Sequence, residues 1–314
     1  MLKDLLIFKD SVWSISIFKG SKVTNLKECT EIKNPVISYK DINDIRARFV
    51  ADPFIIKEDN ILYMFFEVLD DKYSIGRIGV ATSTCGCKWE YKKIVLSEEF
   101  HLSYPYVFKH NNKIYMIPEC GESGYIRLYE AEEFPYKWKF LKNIIKGRYL
   151  DSSILEHKGT LYIFANEGNN LHLFYSKDLL EGWKEHPKSP IIVDDKRVCR
   201  PGGRIIKEND KIFRYSQDIS DYYGKSIKAF QIMNLSEIEY EEIGLNIEYT
   251  KSDIDGKWNK DGMHNIDSLK IGNEEWLAVV DGHYFQEKSR IINKLKYLFF
   301  AKFMTYMKNI FKLK

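Results

Sequence analysis

The sequence predicts an all-β protein: a five-bladed β-propeller closed by its N-terminal strands, followed by a basic amphipathic C-terminal helix. Three observations point there. The chain holds 21 Tyr, 19 Phe and abundant Ile, a composition that favours strands. A hairpin with acidic ends, first seen in FVADPFIIKEDNILYMFFE (49–67), recurs along the chain. Its openings fall at residues 52, 104, 151, 200 and 266, a period near 50 and the mark of propeller blades.

Taken in order, 11–18 (SVWSISIF) alternates like a strand and 35–38 (PVIS) is a second short one. The first unit then runs 53–56, a polar turn, 61–66, and strands at 77–82 and 89–95. The second opens at Tyr104–Pro105, closes at Glu119 and adds 125–129 and 138–141. The third spans Asp151 to Glu167 with 171–175 and 191–193, and the fourth Arg200 to Asp218 with 227–233. The last opens at Ile266–Asp267, closes at Asp281, and supplies only two strands. The two leftover N-terminal strands are expected to complete that fifth blade, which removes exposed sheet edges. Residues 1–285 are therefore assigned to the propeller and 286–314 to the helix.

Composition narrows the function. Net charge is +3, yet 288–314 holds eight Lys/Arg and no acid, so the preceding body is net acidic, which argues against a nucleic-acid partner. The five cysteines form no CxxC pair, and Cys85–Cys87 are expected to be free thiols. No P-loop, dinucleotide-binding glycine motif or HExxH occurs, and DIDG at 253–256 departs from a calcium loop. No cofactor and no metal are expected, with His101, His264 and His283 taken as hydrogen-bonded histidines. The N-terminus lacks a basic segment followed by a long apolar run, so a cytoplasmic location is expected.

In a propeller the hairpin openings and closings ring one mouth of the central channel. There the sequence places Asp52, Glu67, Glu119, Asp151, Glu167, Arg200, Arg204, Asp218, His264, Asp267 and Asp281. Crowded carboxylates drive one another's pKa apart, so some hold protons while others ionise. Glycosidic bond chemistry needs such a pair, one acid to protonate the leaving oxygen and one base or nucleophile. Tyr104, Tyr222, Tyr223, Trp258 and His264 offer ring faces for sugars. Arg200 and Arg204 either orient an anionic group or neutralise the acidic ring, and the residues leave both readings open.

An Asp-Pro opening to the first blade, an Asp opening a middle blade and a Glu between resemble the furanosidase-type glycoside hydrolases. That resemblance implies Asp52 as general base, Asp151 as the tuning Asp, and Glu119 or Glu167 as acid. From their place at the mouth, Glu67, Tyr104, Arg200, Arg204, Asp218, His264 and Asp267 are expected to bind substrate. ADPF (51–54), HLSYP (101–105), MIPE (116–119), DSSILEHKG (151–159), LFYSKDL (173–179), RPGGR (200–204) and QDIS (217–220) more closely resemble another family. This is the propeller domain at the N-terminus of plant glucosamine inositolphosphorylceramide transferases and in bacterial surface-polysaccharide loci. There the propeller accompanies a transferase or formyltransferase domain, which implies a glycosyltransferase partner.

In the tail, Ile292, Leu295, Phe299, Phe303, Tyr306 and Ile310 recur at helical spacing among lysines. Such a helix suits an anionic membrane interface, with packing on the propeller as the rival. The expectation is a propeller peripheral to the inner membrane that cleaves or transfers a glycosyl unit during surface glycan assembly. The alternative is a non-catalytic glycan-binding scaffold that positions a partner glycosyltransferase.

Overall fold

The computed structural model describes residues 7–289. The described residues fall into two compact units, 13–283 and the strand segments 7–12 with 284–289. Residues 13–283 carry the propeller. In the chain-end unit, the described residues are the outer runs of two long strands, Ile7–Gly20 and Glu275–Ser289. Of the tail expected to be helical from 286, residues 286–289 instead continue the strand Glu275–Ser289, and 290–314 lie outside the described residues. Among the described residues no helix is long and apolar enough to cross a membrane.

Five antiparallel sheets make the blades. Blade one holds Ala47–Glu58, Ile61–Asp70, Ile75–Ser83 and Glu90–Leu96. Blade two holds Ser103–His110, Lys113–Glu119, Tyr125–Glu133 and Lys137–Lys146. Blade three holds Leu150–His157, Thr160–Glu167, Asn170–Ser176 and Lys184–Glu185. In blade four, Arg200–Pro201 and Ile206–Glu208 share the inner position, followed by Lys211–Asp218, Ser226–Leu235 and Tyr240–Thr250. Blade five runs Ile266–Gly272, Glu275–Ser289, Ile7–Gly20 and Lys27–Glu28, so the N-terminal strand closes the ring as expected.

Local sequence explains the hairpins. Asp59–Asn60, Asn111–Asn112 and Lys158–Gly159 all adopt positive φ, the two-residue turn whose twist matches paired strands. Between blades, aromatic side chains interdigitate; Phe65 meets Trp138 edge-on at 5.4 Å. Each such fully buried ring contributes about 2–3 kcal/mol of transfer free energy. Inner strands of neighbouring blades touch in cyclic order, and Gly203 bridges Ile266 between blades four and five. A Cβ at Gly203 would lie 1.8 Å from the Ile266 carbonyl oxygen, so only glycine permits that approach.

Three outer strands differ from expectation. Blade five ends on Lys27–Glu28, and 35–38 attaches only through the Ile15–Ile37 bridge, since Pro35 has no N–H for a ladder. In blade three the fourth strand is Lys184–Glu185, with Ile192 bridging Leu171. The outer strand Tyr240–Thr250 was not anticipated, because its side chains alternate between exposed and half-buried rather than between polar and core.

Candidate functional site at the propeller mouth

Each of the first three inner strands carries the same irregularity where it opens. The register slips between Ala51 and Phe54, Ser103 and Tyr106, and Leu150 and Ser153. Each slip leaves two residues bulged, and the first of them is left-handed: Asp52 at φ 52°, Tyr104 at 44° and Asp151 at 48°. Aspartate tolerates this conformation, whereas tyrosine rarely adopts it. The bulges turn these side chains toward the channel axis.

Asp52 is the hub. Its N–H donates to Asp281 Oδ2 (2.8 Å), and its own Oδ2 accepts the Tyr104 N–H (3.2 Å). His264 lies between two carboxylates, with Nδ1 2.8 Å from Asp281 Oδ1 and Nε2 3.3 Å from Asp52 Oδ1. Asp281 Oδ1 also accepts the N–H groups of His264 and Asn265. Burial pulls the His264 pKa down, but Asp281 and Asp52 outweigh it and lift the imidazole to about 9. Burial drives Asp52 well above the usual carboxylate range; His264 opposes the rise, while Asp151, Asp281 and Glu67 add to it.

Asp52, His264 and Asp281 each offer one ligand atom within 4.8 Å of the others, the spacing of a cation site. His264 faces a carboxylate with each ring nitrogen, so binding a metal through it requires a ring proton to leave.

Two more ion pairs flank the hub. Arg200 Nε and Gln217 Nε2 (2.6 Å) both donate to Asp151 Oδ2. His101 Nε2 faces Glu67 Oε1 at 3.3 Å and its pKa is lifted to about 9, against burial, chiefly by Glu67. Glu119 accepts from the Ser103 hydroxyl (2.9 Å) and the Gly121 N–H (2.8 Å). Burial and then Asp151 raise its pKa.

Beneath the mouth the channel is filled. The Tyr104 hydroxyl donates to the Gly203 carbonyl (3.0 Å), accepts the Gly203 N–H (2.7 Å) and meets the Ser153 hydroxyl at 2.8 Å. Deeper still, Arg204 pairs with Asp267 (2.7 Å) and donates to the Val107 carbonyl (2.8 Å), its guanidinium over the Tyr106 ring.

The structure thus brings Asp52, Glu67, Glu119, Asp151, Arg200, His264 and Asp281 to one mouth. Tyr104, Arg204 and Asp267 lie in the channel packing below. Asp218 turns away to Lys228 (2.8 Å) and Ser220, and its pKa falls to about 2. Glu167 stands half-exposed, 4.0 Å from His172. Register explains both placements. Glu67 pairs with Ala51 and Glu119 with Ser103, the residues before the bulge, but their counterpart facing Leu150 is Asn166. Glu167 and Asp218 sit one residue further, on the other face of the strand.

Among the proposed sugar-stacking rings, Trp258 is buried against Glu28 away from the mouth. Tyr223 is 45 % exposed, 5.0 Å from His264 and with the Arg200 guanidinium 5.1 Å from its ring centroid. Trp13, delivered by the closing strand, lies 4.2 Å from both His264 and His283.

Comparison with solved structures shows the fold. The catalytic domain of a *Coprinopsis cinerea* family 62 α-L-arabinofuranosidase matches 86 % of this chain and 96 % of its own, with TM-score 0.59 and 10 % identity. A β-1,2-mannobiose phosphorylase from Listeria innocua gives TM-score 0.61 at 14 % identity over 84 % of this chain and 96 % of its own. A thermostable family-43 glycoside hydrolase gives 0.56 at 18 % identity over 82 % and 96 %. By sequence, glucosamine inositolphosphorylceramide transferase 1 of Oryza sativa subsp. japonica is 33 % identical over 296 residues, covering 86 % of this chain and 40 % of the relative. The Arabidopsis thaliana protein of that name is 34 % identical, with 86 % and 39 % covered. The chain thus spans about two fifths of the length of these relatives. The family model described as glucosamine inositolphosphorylceramide transferase 1, N-terminal, matches residues 8–283, and this chain belongs to that family.

Proposed function

We propose that the mouth is a carbohydrate site that cleaves or transfers a glycosyl unit by acid–base chemistry. One observation carries this reading: Asp52 and Glu119, both driven up by burial, stand within electrostatic reach of the same Asp151. Glu119, half-buried and with its pKa raised by burial and Asp151, is the acid for the leaving oxygen. Asp52 is the base; the His264 imidazolium opposes its protonation, and Asp151, bound by Arg200 and Gln217, tunes the pair. The glycosidase-like propeller neighbours and the glycosyl-transferring relatives support a carbohydrate-active role. The proposed setting is cytoplasmic surface-glycan assembly beside a glycosyltransferase, with the tail on the membrane.

A second reading, a glycan-binding scaffold without catalysis, is favoured by the enclosure of Asp52. That residue is 3 % exposed, with one oxygen on the Tyr104 N–H and the other facing His264.

Turnover and binding of a furanoside and pyranoside panel should be measured for the wild type, Asp52→Asn and Glu119→Gln. Catalysis requires turnover to fall at least roughly a hundredfold in either variant while both still fold. Binding without turnover in all three proteins selects the scaffold.

A further inference from the structure

Three features of the mouth together limit what can enter it. The first is its floor. Tyr104 is tied at its hydroxyl to Gly203 and Ser153 and packs edge-on against Phe54 at 4.7 Å. Arg204 beneath it spans Asp267 and the carbonyls of Ile55 and Val107. A chain cannot thread through these side chains, so a ligand must end at the mouth.

The second is the pairing of its polar groups. Asp52, Glu67, Glu119, Asp151 and Asp281 bring five carboxyl groups to the mouth, and Arg200, His101 and His264 three basic ones. Every one of those cations already faces a carboxylate: Arg200 faces Asp151, His101 faces Glu67, and His264 faces both Asp52 and Asp281. A phosphate or carboxylate on a ligand would find each of these three basic groups already committed to a carboxyl group and would have to break a buried pair to gain a partner.

The third is Tyr223. Arg200 and His264 hold its ring from the side of the network, and 45 % of the residue stays open to solvent. A tyrosine phenol ordinarily titrates near 10, so the hydroxyl remains a donor at physiological pH. An aromatic face held in this way suits the C–H face of a sugar ring.

From these features we infer that the mouth takes the terminal residue of a non-anionic glycan, laid on Tyr223, and excludes nucleotide-diphosphate sugars and uronic acids. The inference rests on the carbohydrate reading above and names its substrate class. Tyr223 acts as a positioning residue: it orients the terminal ring over Glu119 and Asp52 without exchanging a proton itself.

The test is titration, by saturation-transfer NMR and calorimetry, of the full chain with three probes. These are neutral oligosaccharides ending in glucose, mannose or arabinofuranose, the glucuronate-ended counterparts, and UDP-glucose. The expected result is binding of at least one neutral glycan, with the anionic probes weaker by roughly tenfold or more. Tyr223→Ala should lose roughly tenfold in affinity, Tyr223→Phe should keep most of it, and Tyr136→Ala, an exposed tyrosine in the outer turn of blade two, should change little. Saturation transfer should label the terminal residue most strongly. Equal binding of UDP-glucose or glucuronate-ended probes overturns the inference, as does unchanged affinity in a folded Tyr223→Ala; either result leaves the carbohydrate reading standing. A wild type that binds none of the three probes removes the carbohydrate reading itself.

Discussion

Trp13 lies 4.2 Å from both His264 and His283, yet the two imidazoles titrate in opposite directions. His264 is raised to about 9 by its two carboxylates, while burial and then the charge on His264 lower His283 to about 4. Linkage sets the signs. The His264 contribution is complete below the unfolded value near 6.5 and is lost as pH rises through 9. The His283 contribution is complete above 6.5 and is lost as pH falls through 4. Each of these histidines contributes at most on the order of 3 kcal/mol. Urea midpoints across this range should therefore peak near neutrality, and His264→Gln should flatten about half of the alkaline limb. His101, also raised to about 9, keeps the other half. A wild-type midpoint that does not fall between 6.5 and 9 would refute the assignment of His264 as a buried imidazolium.

Arg204 and Asp267 present a different residue-scale case, because Asp267 has no exposed surface and Arg204 has little. Arg204→Met strands a buried carboxylate and should cost about 3–5 kcal/mol in urea unfolding, whereas Arg204→Met with Asp267→Leu should recover much of that. An additive loss in the double variant would mean the two residues act independently.

At the scale of the element, the hairpin carries both the fold and the site, and its two ends tolerate different changes. The turn at Gly159 has φ +71°, and nothing lies within 4 Å of a Cβ added there, so Gly159→Ala tests backbone conformation alone. It should cost about 1 kcal/mol by thermal melt and leave glycan affinity unchanged, since Asp151 sits at the opposite end of the strand pair. The hairpins were legible because alternation and turn residues are written locally. The outer strands were not, because their half-exposed faces carry no such pattern.

The mouth was legible except in parity. Asp52 to Glu67 and Tyr104 to Glu119 are each 15 residues, whereas Asp151 to Glu167 is 16. A strand alternates faces with every residue, so the longer count was the signal that Asn166 takes the equivalent position. Gln217 was missed for a similar reason: the neighbouring Asp218 carries the charge that draws attention, yet Gln217 is the residue opposite Arg200. No local pattern could reveal the His264–Asp52 approach, which joins residues from the first and last blades.

Across the whole propeller, closure depends on strand Ile7–Gly20 pairing with Glu275–Ser289. Removing residues 1–28 takes away the two outer strands of blade five and the Trp13 indole. The truncated protein should lose its single cooperative melting transition by circular dichroism, and a peptide of residues 7–28 added in trans should restore part of it. A sharp, unchanged transition after truncation would show that the ring does not need this strand. The acidic body and basic tail make a further expectation at this scale. The full chain should sediment with anionic vesicles in low salt and lose that binding when residues 290–314 are removed.

The closing strand also has a consequence in time. A ribosome makes Ile7–Gly20 well before its partner Glu275–Ser289, so that strand waits through the synthesis of four blades before it can pair. The Asp52 N–H finds its acceptor, and its carboxylate its imidazolium neighbour, in Asp281 and His264, which arrive only with that final hairpin. Until then the inner carboxylates face one another without that counter-charge, and no chain interrupted before the last hairpin can assemble the mouth. A hub split between the first and fifth blades is therefore assembled only when the ring closes.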